Sequence, residues 1–448
     1  MVEIFLLVFC FVAYWPTLFY GLVVDDIERY EYAKAGFIEK GHPLKTILNY
    51  LYGGGTVTNT IVDHGLTILM TATTGILIYQ VFGGDGVSLM AAVFYILNPI
   101  NNQTTIWLNG RRYAVNVIIV LAMMKFTPWG FLLYPFTALF QINAIFSPLL
   151  ALNTPFWWIV FFMPVFLVLG FRKIKDWFEA RGSKEPKTEL VAVHPRKIFL
   201  LVKTIGFYGV KMVVPGTCQF YYPFLNGLGM TDEGNSRAYT VDRHFVAGTA
   251  ILALLGGIVA AVPQFAGYVL FIFASLAQWG NIVTYTQAAA DRYASLPNVF
   301  VMVILAFFIG ILEPFSAEIF VAFAVYYWCG LRQVMRQYKD LEHFYDYNIY
   351  HWPAGVSARG FKAVAQMGNK DYLCAMDTVL QGLRYEPKDA NLLFKAAMCA
   401  YRLGDYQMAK KYLDDSMKNV YHGQYDRFKP MADILEEKIQ KKIIREDT

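Results

Sequence analysis

Two adjacent carboxylates, Asp25-Asp26, follow directly after an apolar run over residues 1–24. A spanning helix needs about 20 apolar residues, so the run can cross a bilayer and the pair lies where the helix emerges. Carboxylates are costly in hydrocarbon; at a helix exit they are solvated loop or they do chemistry, as a general base would. Other polar clusters interrupt apolar sequence: His64, then Asn98-Pro99-Ile100-Asn101-Asn102-Gln103, then Gly110-Arg111-Arg112. Further on come Asp242-Arg243-His244 and Asp291-Arg292-Tyr293, the latter running on to Leu296-Pro297. Arginine presents a planar fork of donors that matches phosphate. Each cluster has a plainer use. Arg111 and Arg112 fit a helix end anchored at the headgroups, His64 fits a hydrogen-bonded core residue, and Asp291-Arg292 fits a local ion pair. The sequon Asn102-Gln103-Thr104 lies too near the membrane to expect a glycan on it.

The elements that must position these residues are membrane helices. The chain has 448 residues, 56% of them hydrophobic, 17% aromatic and 16% charged, with mean hydropathy +0.37. This excludes an ordinary soluble enzyme and fits a polytopic membrane protein. The net charge of +5 says little until it is located along the chain, and no nucleic-acid partner is expected. Five cysteines without CxxC spacing indicate neither a zinc site nor a disulfide framework. The first run lacks a basic leader and a small-residue cleavage site and is expected to be retained. Spans are expected at 2–24, 61–82, 86–100, 111–126, 129–146, 155–171, 198–215, 245–262, 265–283, 299–312 and 315–331, about eleven helices by the length rule. The long basic connection 172–197 is expected in the cytoplasm. Alternation then puts the N-terminus in the cytoplasm and every polar cluster on the extracytoplasmic face, with the tail after Leu331. Arg332, Arg336 and Lys339 pull the tail the other way. The aromatic stretch Phe220-Tyr221-Tyr222-Pro223-Phe224 marks a membrane interface or flanks a lipid groove.

The division falls near residue 340, giving a membrane domain over 1–340 and a helical domain over 341–448. In the tail, Asp371-Tyr372-x-x-Ala375 recurs as Asp405-Tyr406-x-x-Ala409, 34 residues on. That is the period of a tetratricopeptide repeat. Helix pairs are expected around 358–386 and 390–420, joined near Pro387. Two repeats rarely stand alone, so packing on the membrane domain is expected.

The chain resembles the GT-C glycosyltransferases, and more narrowly the TMTC-type proteins, in which a multi-pass domain precedes tetratricopeptide repeats. Four places carry the likeness: Val24-Asp25-Asp26; the His64 segment; Asn98-Pro99 with Gly110-Arg111-Arg112; and Ala290-Asp291-Arg292-Tyr293-Ala294-Ser295-Leu296-Pro297. There are departures. Asn98, Gln103 and Thr71 stand where the family tends to have His, an acidic residue and a second His, and the repeat array is shorter. The resemblance implies an all-α, GT-C-like fold and transfer of a sugar, with inversion, from a polyprenyl-phosphate-linked donor. The acceptor would be a Ser or Thr hydroxyl of an exported protein, engaged through the repeats. Asp25 or Asp26 would be the base. Arg111 and Arg292 would hold the donor phosphate, with Arg112 and Arg243 in reserve, and His64, Asn101, Gln103, Asp291 and Tyr293 would support them. No cofactor is required, although the acidic pair is open to a divalent metal. A bacterial inner membrane and an endoplasmic reticulum membrane both fit. A glycan or glycolipid acceptor and a non-catalytic repeat scaffold are the alternatives; clustered Asp and Arg argue against the scaffold.

The sidedness is testable by labelling. A cysteine introduced near Gly182 should be shielded from an impermeant thiol reagent in intact cells, and one near Gly234 should be labelled. The reverse pattern would overturn the assignment.

Overall fold

The computed structural model describes residues 1–23, 26, 60–134, 137, 142–162, 196–218, 241–277, 290–353, 355–420 and 422–446. Among these residues every regular element is helical and there is no strand. They form two compact units that divide between Leu341 and Glu342.

Among the described residues, four helical segments of the first unit are long and apolar enough to cross a membrane: Val2–Phe19, Thr60–Val81, Arg243–Ala261 and Asp291–Gly310. The α-helices that build this unit are α1 (Val2–Tyr14), α2 (Thr60–Val81), α3 (Gly86–Leu97) and α4 (Arg111–Lys125). They continue as α5 (Arg196–Val213), α6 (Arg243–Ala261), α7 (Ala266–Ala277), α8 (Ser295–Gly310) and α9 (Ser316–Met335). Over 129–162 the described residues wind instead as 3-10 turns, Trp129–Leu133, Ile142–Asn153 and Trp157–Phe162. Pro148 sits inside the second of these, where a missing N–H prevents a regular α ladder. The basic connection 172–197 is described only at its last two residues, and residues 219–240 of the 217–244 loop and 284–289 of the 284–298 loop lie outside the described residues.

Helix α2 packs against α1, α3 and α4, and α3 packs in turn against α8 and α9. Two polar ends bound this group. At one, Gln80 near the end of α2 bonds to Glu3 of α1 and Lys125 of α4, and Asp85 caps α3 in a reciprocal capping box with Ser88. At the other lie the ends of α1 and α3 and the starts of α2, α4 and α8. Almost every charged or polar side chain discussed below is at this second end.

The second unit contains α10 (Leu341–His351), which begins at the boundary, α11 (Val356–Gly368), α12 (Tyr372–Leu383), α13 (Ala390–Leu403), α14 (Tyr406–Asn419) and α15 (His422–Glu446). The repeated Asp-Tyr-x-x-Ala has a physical meaning in each copy. Asp371 caps α12 by accepting from the Cys374 N–H, and Asp405 caps α14 by accepting from the Met408 N–H. Ala375 and Ala409 are fully buried, in adjoining core clusters, because only a small side chain lets neighbouring helices approach that closely. The turn before each cap is left-handed. Gly404 has φ 88° there, and Lys370, 34 residues earlier, has φ 63°. Gly adopts this conformation freely and Lys does not.

Two stability changes follow. Lys370→Gly should stabilise the helical unit by up to about 1 kcal/mol, after allowing for the extra freedom of the unfolded chain. Asp405→Ala should destabilise it by about 1 kcal/mol through loss of the cap. Chemical denaturation of the full-length protein, followed by helical circular dichroism, checks both signs.

Candidate functional site

The second polar end of the bundle is organised by the turns between α3 and α4, which run through Pro99–Asn101, Asn102–Thr105 and Leu108–Gly110. Asn98 begins them. Its side-chain oxygen accepts from the Ile100 N–H and its amide donates to the Met212 carbonyl at 2.7 Å. Gly110 ends them because the chain folds back on itself there. A Cβ at Gly110 would lie 1.7 Å from the carbonyl oxygen of Gln103. That contact explains why a glycine stands directly before Arg111-Arg112.

Apart from Arg112, the charges at this end are removed from water. Arg111 meets Asp63 of α2 at 3.1 Å, and neither side chain has any exposure. Arg292 donates to the Gln103 side-chain oxygen at 2.8 Å. Its guanidinium lies 5.3 Å from the centre of the Trp107 ring and 5.0 Å from that of Tyr293. Arg112 is half-buried and lies 5.1 Å over Tyr113, whose ring is 6.4 Å from that of Tyr293. Arg112 and Arg292 thus each lie against one ring of the Tyr113–Tyr293 pair. Asp291 receives Lys211 of α5 at 3.4 Å and Asn102 at 3.2 Å. Asn101 donates to the Tyr95 carbonyl at 2.8 Å and accepts from Asn298 at 3.3 Å. His64 is buried beside Asp63, and among the described residues neither ring nitrogen makes a hydrogen bond of normal geometry.

Of the two adjacent carboxylates, Asp26 is described and Asp25 lies outside the described residues. Asp26 is 2% exposed, and one oxygen accepts the Asn109 N–H at 2.9 Å. Burial pushes its carboxyl up to about 7, and the Asn109 N–H, other backbone N–H groups and the Arg111 charge hold it from rising further. A carboxyl that loses its proton near neutrality suits general-base work.

The structure thus gathers Asp26, His64, Asn101, Gln103, Arg111, Asp291, Arg292 and Tyr293 at one end, with Arg112 at its margin. It does not bring Arg243 there. Alternation of spans predicts that Arg243 shares this face, but α5 and α6 run in the same direction. Phe199 stacks on Phe245, and a Cβ at Gly209 would meet Ile251. Gly206 and Gly248 let the two backbones cross closely. The start of α6 is accordingly held beside the middle of α5, where Asp242 pairs with Lys203 at 2.9 Å and the His244 ring lies 5.8 Å from that of Phe207. Lys203 is eight residues, about 12 Å of helix, before Lys211, and Arg243 itself is exposed.

Several members of the site carry no motif. Asp63 and Lys211 had a signal in the sequence, since a charge inside an apolar helix implies a partner. Trp107, Asn298 and Tyr338, which donates to the Asn102 side-chain oxygen, had none. Among the described residues no group of three His, Cys, Asp or Glu side chains is placed to hold a metal ion.

Comparison with protein-family models, with curated proteins and with solved structures finds no match for the chain.

The Asp26 carboxyl fixes the sign of a pH effect. Its folded value near 7 lies above the ordinary carboxylate value of 3.8, so the folded state holds a proton that the unfolded state has released between those two pH values. Stability contributed at this position therefore falls as pH rises from about 4 to 7 and is level above. Asp26→Asn keeps an oxygen for the Asn109 N–H and removes the ionisation. The stability of the variant relative to the wild type should rise across pH 4–7, by an amount on the order of a few kcal/mol. Thermal unfolding of both proteins over that pH range measures the difference.

Proposed function

We propose that this chain is a membrane glycosyltransferase of GT-C type. It would transfer a sugar from a polyprenyl-phosphate-linked donor to a Ser or Thr hydroxyl of an exported protein, on the extracytoplasmic face of a bacterial inner membrane or an endoplasmic reticulum. The single observation that carries the proposal is the Asp26 carboxyl, set by burial near neutral proton affinity in the same polar belt as Arg111 and Arg292. A base working on a hydroxyl uses that setting, and shifts of this kind cluster at functional sites.

The step is a displacement. Asp26 takes the hydroxyl proton as the oxygen attacks the anomeric carbon. The bond from that carbon to the phosphate oxygen breaks, polyprenyl phosphate leaves, and the configuration inverts. Negative charge develops on the departing phosphate and needs fixed positive charge beside it. We assign that role to Arg292, with Arg112, against the neighbouring Tyr113 ring, in support. Arg111, engaged by Asp63, holds α4 against α2 and lowers the proton affinity of Asp26 from a distance. A lipid-borne leaving group fits this end of the bundle because its tail can stay in the bilayer between helices.

About eleven spans and a tetratricopeptide-type tail belong to the same proposal. Support for the tail comes from the paired caps and buried alanines 34 residues apart. Its acceptor surface would be the cavity of about 400 Å³ between α11, α13 and α15, floored by Met367, Phe394 and Phe428 and edged by Lys395 and Arg402.

Asp26→Asn should lower sugar transfer by about a hundred- to ten-thousand-fold while expression and membrane insertion persist. Arg292→Ala should weaken donor binding through loss of a charge-assisted contact. Transfer assayed with purified protein and a lipid-phosphate sugar decides the matter. Near wild-type transfer by a variant carrying Asn at both 25 and 26 sinks the proposal.

A further inference from the structure

We infer that Asp291 is a hub and not an acid or base, and that Lys211 and Tyr338 are positioning residues that aim Arg292 through it. The role of Arg292 toward a phosphate rests on the function proposed above; the way Arg292 is held does not.

Asp291 is fully buried, and both of its oxygens already accept a donor. Lys211 reaches one at 3.4 Å and the Asn102 amide reaches the other at 3.2 Å. These two donors are themselves anchored. Lys211 also donates to the Thr217 carbonyl at 2.7 Å. Asn102 donates to the Pro99 carbonyl at 2.7 Å, and its side-chain oxygen accepts the Tyr338 hydroxyl. A residue away, the Tyr208 hydroxyl accepts the Ala290 N–H at 2.9 Å and donates to the Ala290 carbonyl at 3.0 Å. Helix α5 thus grips both Ala290 and Asp291, and the turn Arg336–Tyr338 after α9 grips Asn102.

The consequence for Arg292 follows from adjacency. Asp291-Arg292 faces Asn102-Gln103 in two rungs, Asp291 to Asn102 and Arg292 to Gln103. With the first rung fixed, the second holds the guanidinium over Trp107 and Tyr293. Loosening Asn102 or Asp291 frees the second rung without touching any atom of Arg292. The same turn reaches the segment leading to Asp26, since the Gly21 N–H donates to the Lys339 carbonyl at 3.0 Å. Tyr338 is therefore placed to keep the base-bearing and arginine-bearing segments in register.

Trp107 reports the position of Arg292 without any substrate. The emission of each full-length variant, minus that of the same variant carrying Trp107→Phe, isolates this ring among the nine tryptophans. Arg292→Ala sets the signal for a displaced guanidinium. Tyr338→Phe and Lys211→Met should each shift the Trp107 component toward that signal, and Lys211→Arg should restore it. Tyr338→Phe removes a single hydroxyl and serves where Lys211→Met does not fold. An unchanged Trp107 component in both Tyr338→Phe and Lys211→Met, or in Arg292→Ala itself, overturns the inference. In transfer assays with an undecaprenyl-phosphate-linked sugar, Tyr338→Phe should raise the donor KM about tenfold with the acceptor KM unmoved. If the wild type transfers nothing, the glycosyltransferase proposal fails and the fluorescence result still decides the hub.

Discussion

A charge taken out of water has to be met by another charge or by fixed dipoles, and this constraint shapes the whole membrane unit. The Arg111–Asp63 pair shows it most plainly. Both side chains are wholly buried, one at the first residue of α4 and the other in the first turn of α2. Breaking such a pair by removing one partner leaves an uncompensated charge and typically costs about 3–5 kcal/mol. The pair therefore locks the two helix starts together. Once they are locked, the turns from Pro99 to Gly110 have one place to go, and those turns carry Asn102, Gln103, Trp107 and Asn109 to their partners. The belt is a set of mutual obligations among buried polar groups, in which a change at one member is felt by the others.

Much of this was legible from residue types and order. Helical character followed from composition and from apolar runs. The residues that gather at one end were visible as polar interruptions in those runs, from Asp25-Asp26 to Asp291-Arg292. What sequence could not supply was pairing. Arg111 and Arg292 look equivalent on paper, each an arginine beside a helix start. In the structure Arg111 meets a carboxylate and Arg292 meets an amide and two aromatic faces, a difference set by which helices touch. Tyr338 lies after the last apolar run in a stretch with no pattern to mark it. Arg243 shows the converse failure. Alternation assumes that successive spans reverse direction, whereas the contacts of α5 with α6, from Phe199–Phe245 to Gly209–Ile251, run in the same order along both helices.

The second unit was easier to read because its order is local. A cap, a small buried residue and a left-handed turn recur at a fixed distance, and each acts within a few residues of itself. Lys370 is the one repeat position where the local rule is broken, since a lysine occupies a conformation that glycine fills in the other copy. The membrane unit has no such repetition. Its site is assembled from six segments separated by tens to hundreds of residues, so long-range contacts decide it.

We propose that this belt receives a lipid phosphate at Arg292. An experimental structure of the full-length protein with undecaprenyl phosphate in a lipid nanodisc tests that claim most directly. The account predicts phosphate density within hydrogen-bonding distance, about 3 Å, of the Arg292 guanidinium, with the polyprenyl tail passing between helices into the bilayer. Phosphate density at another end of the bundle, or an Arg292 that stays on Gln103 and Trp107 while the lipid sits elsewhere, would contradict it.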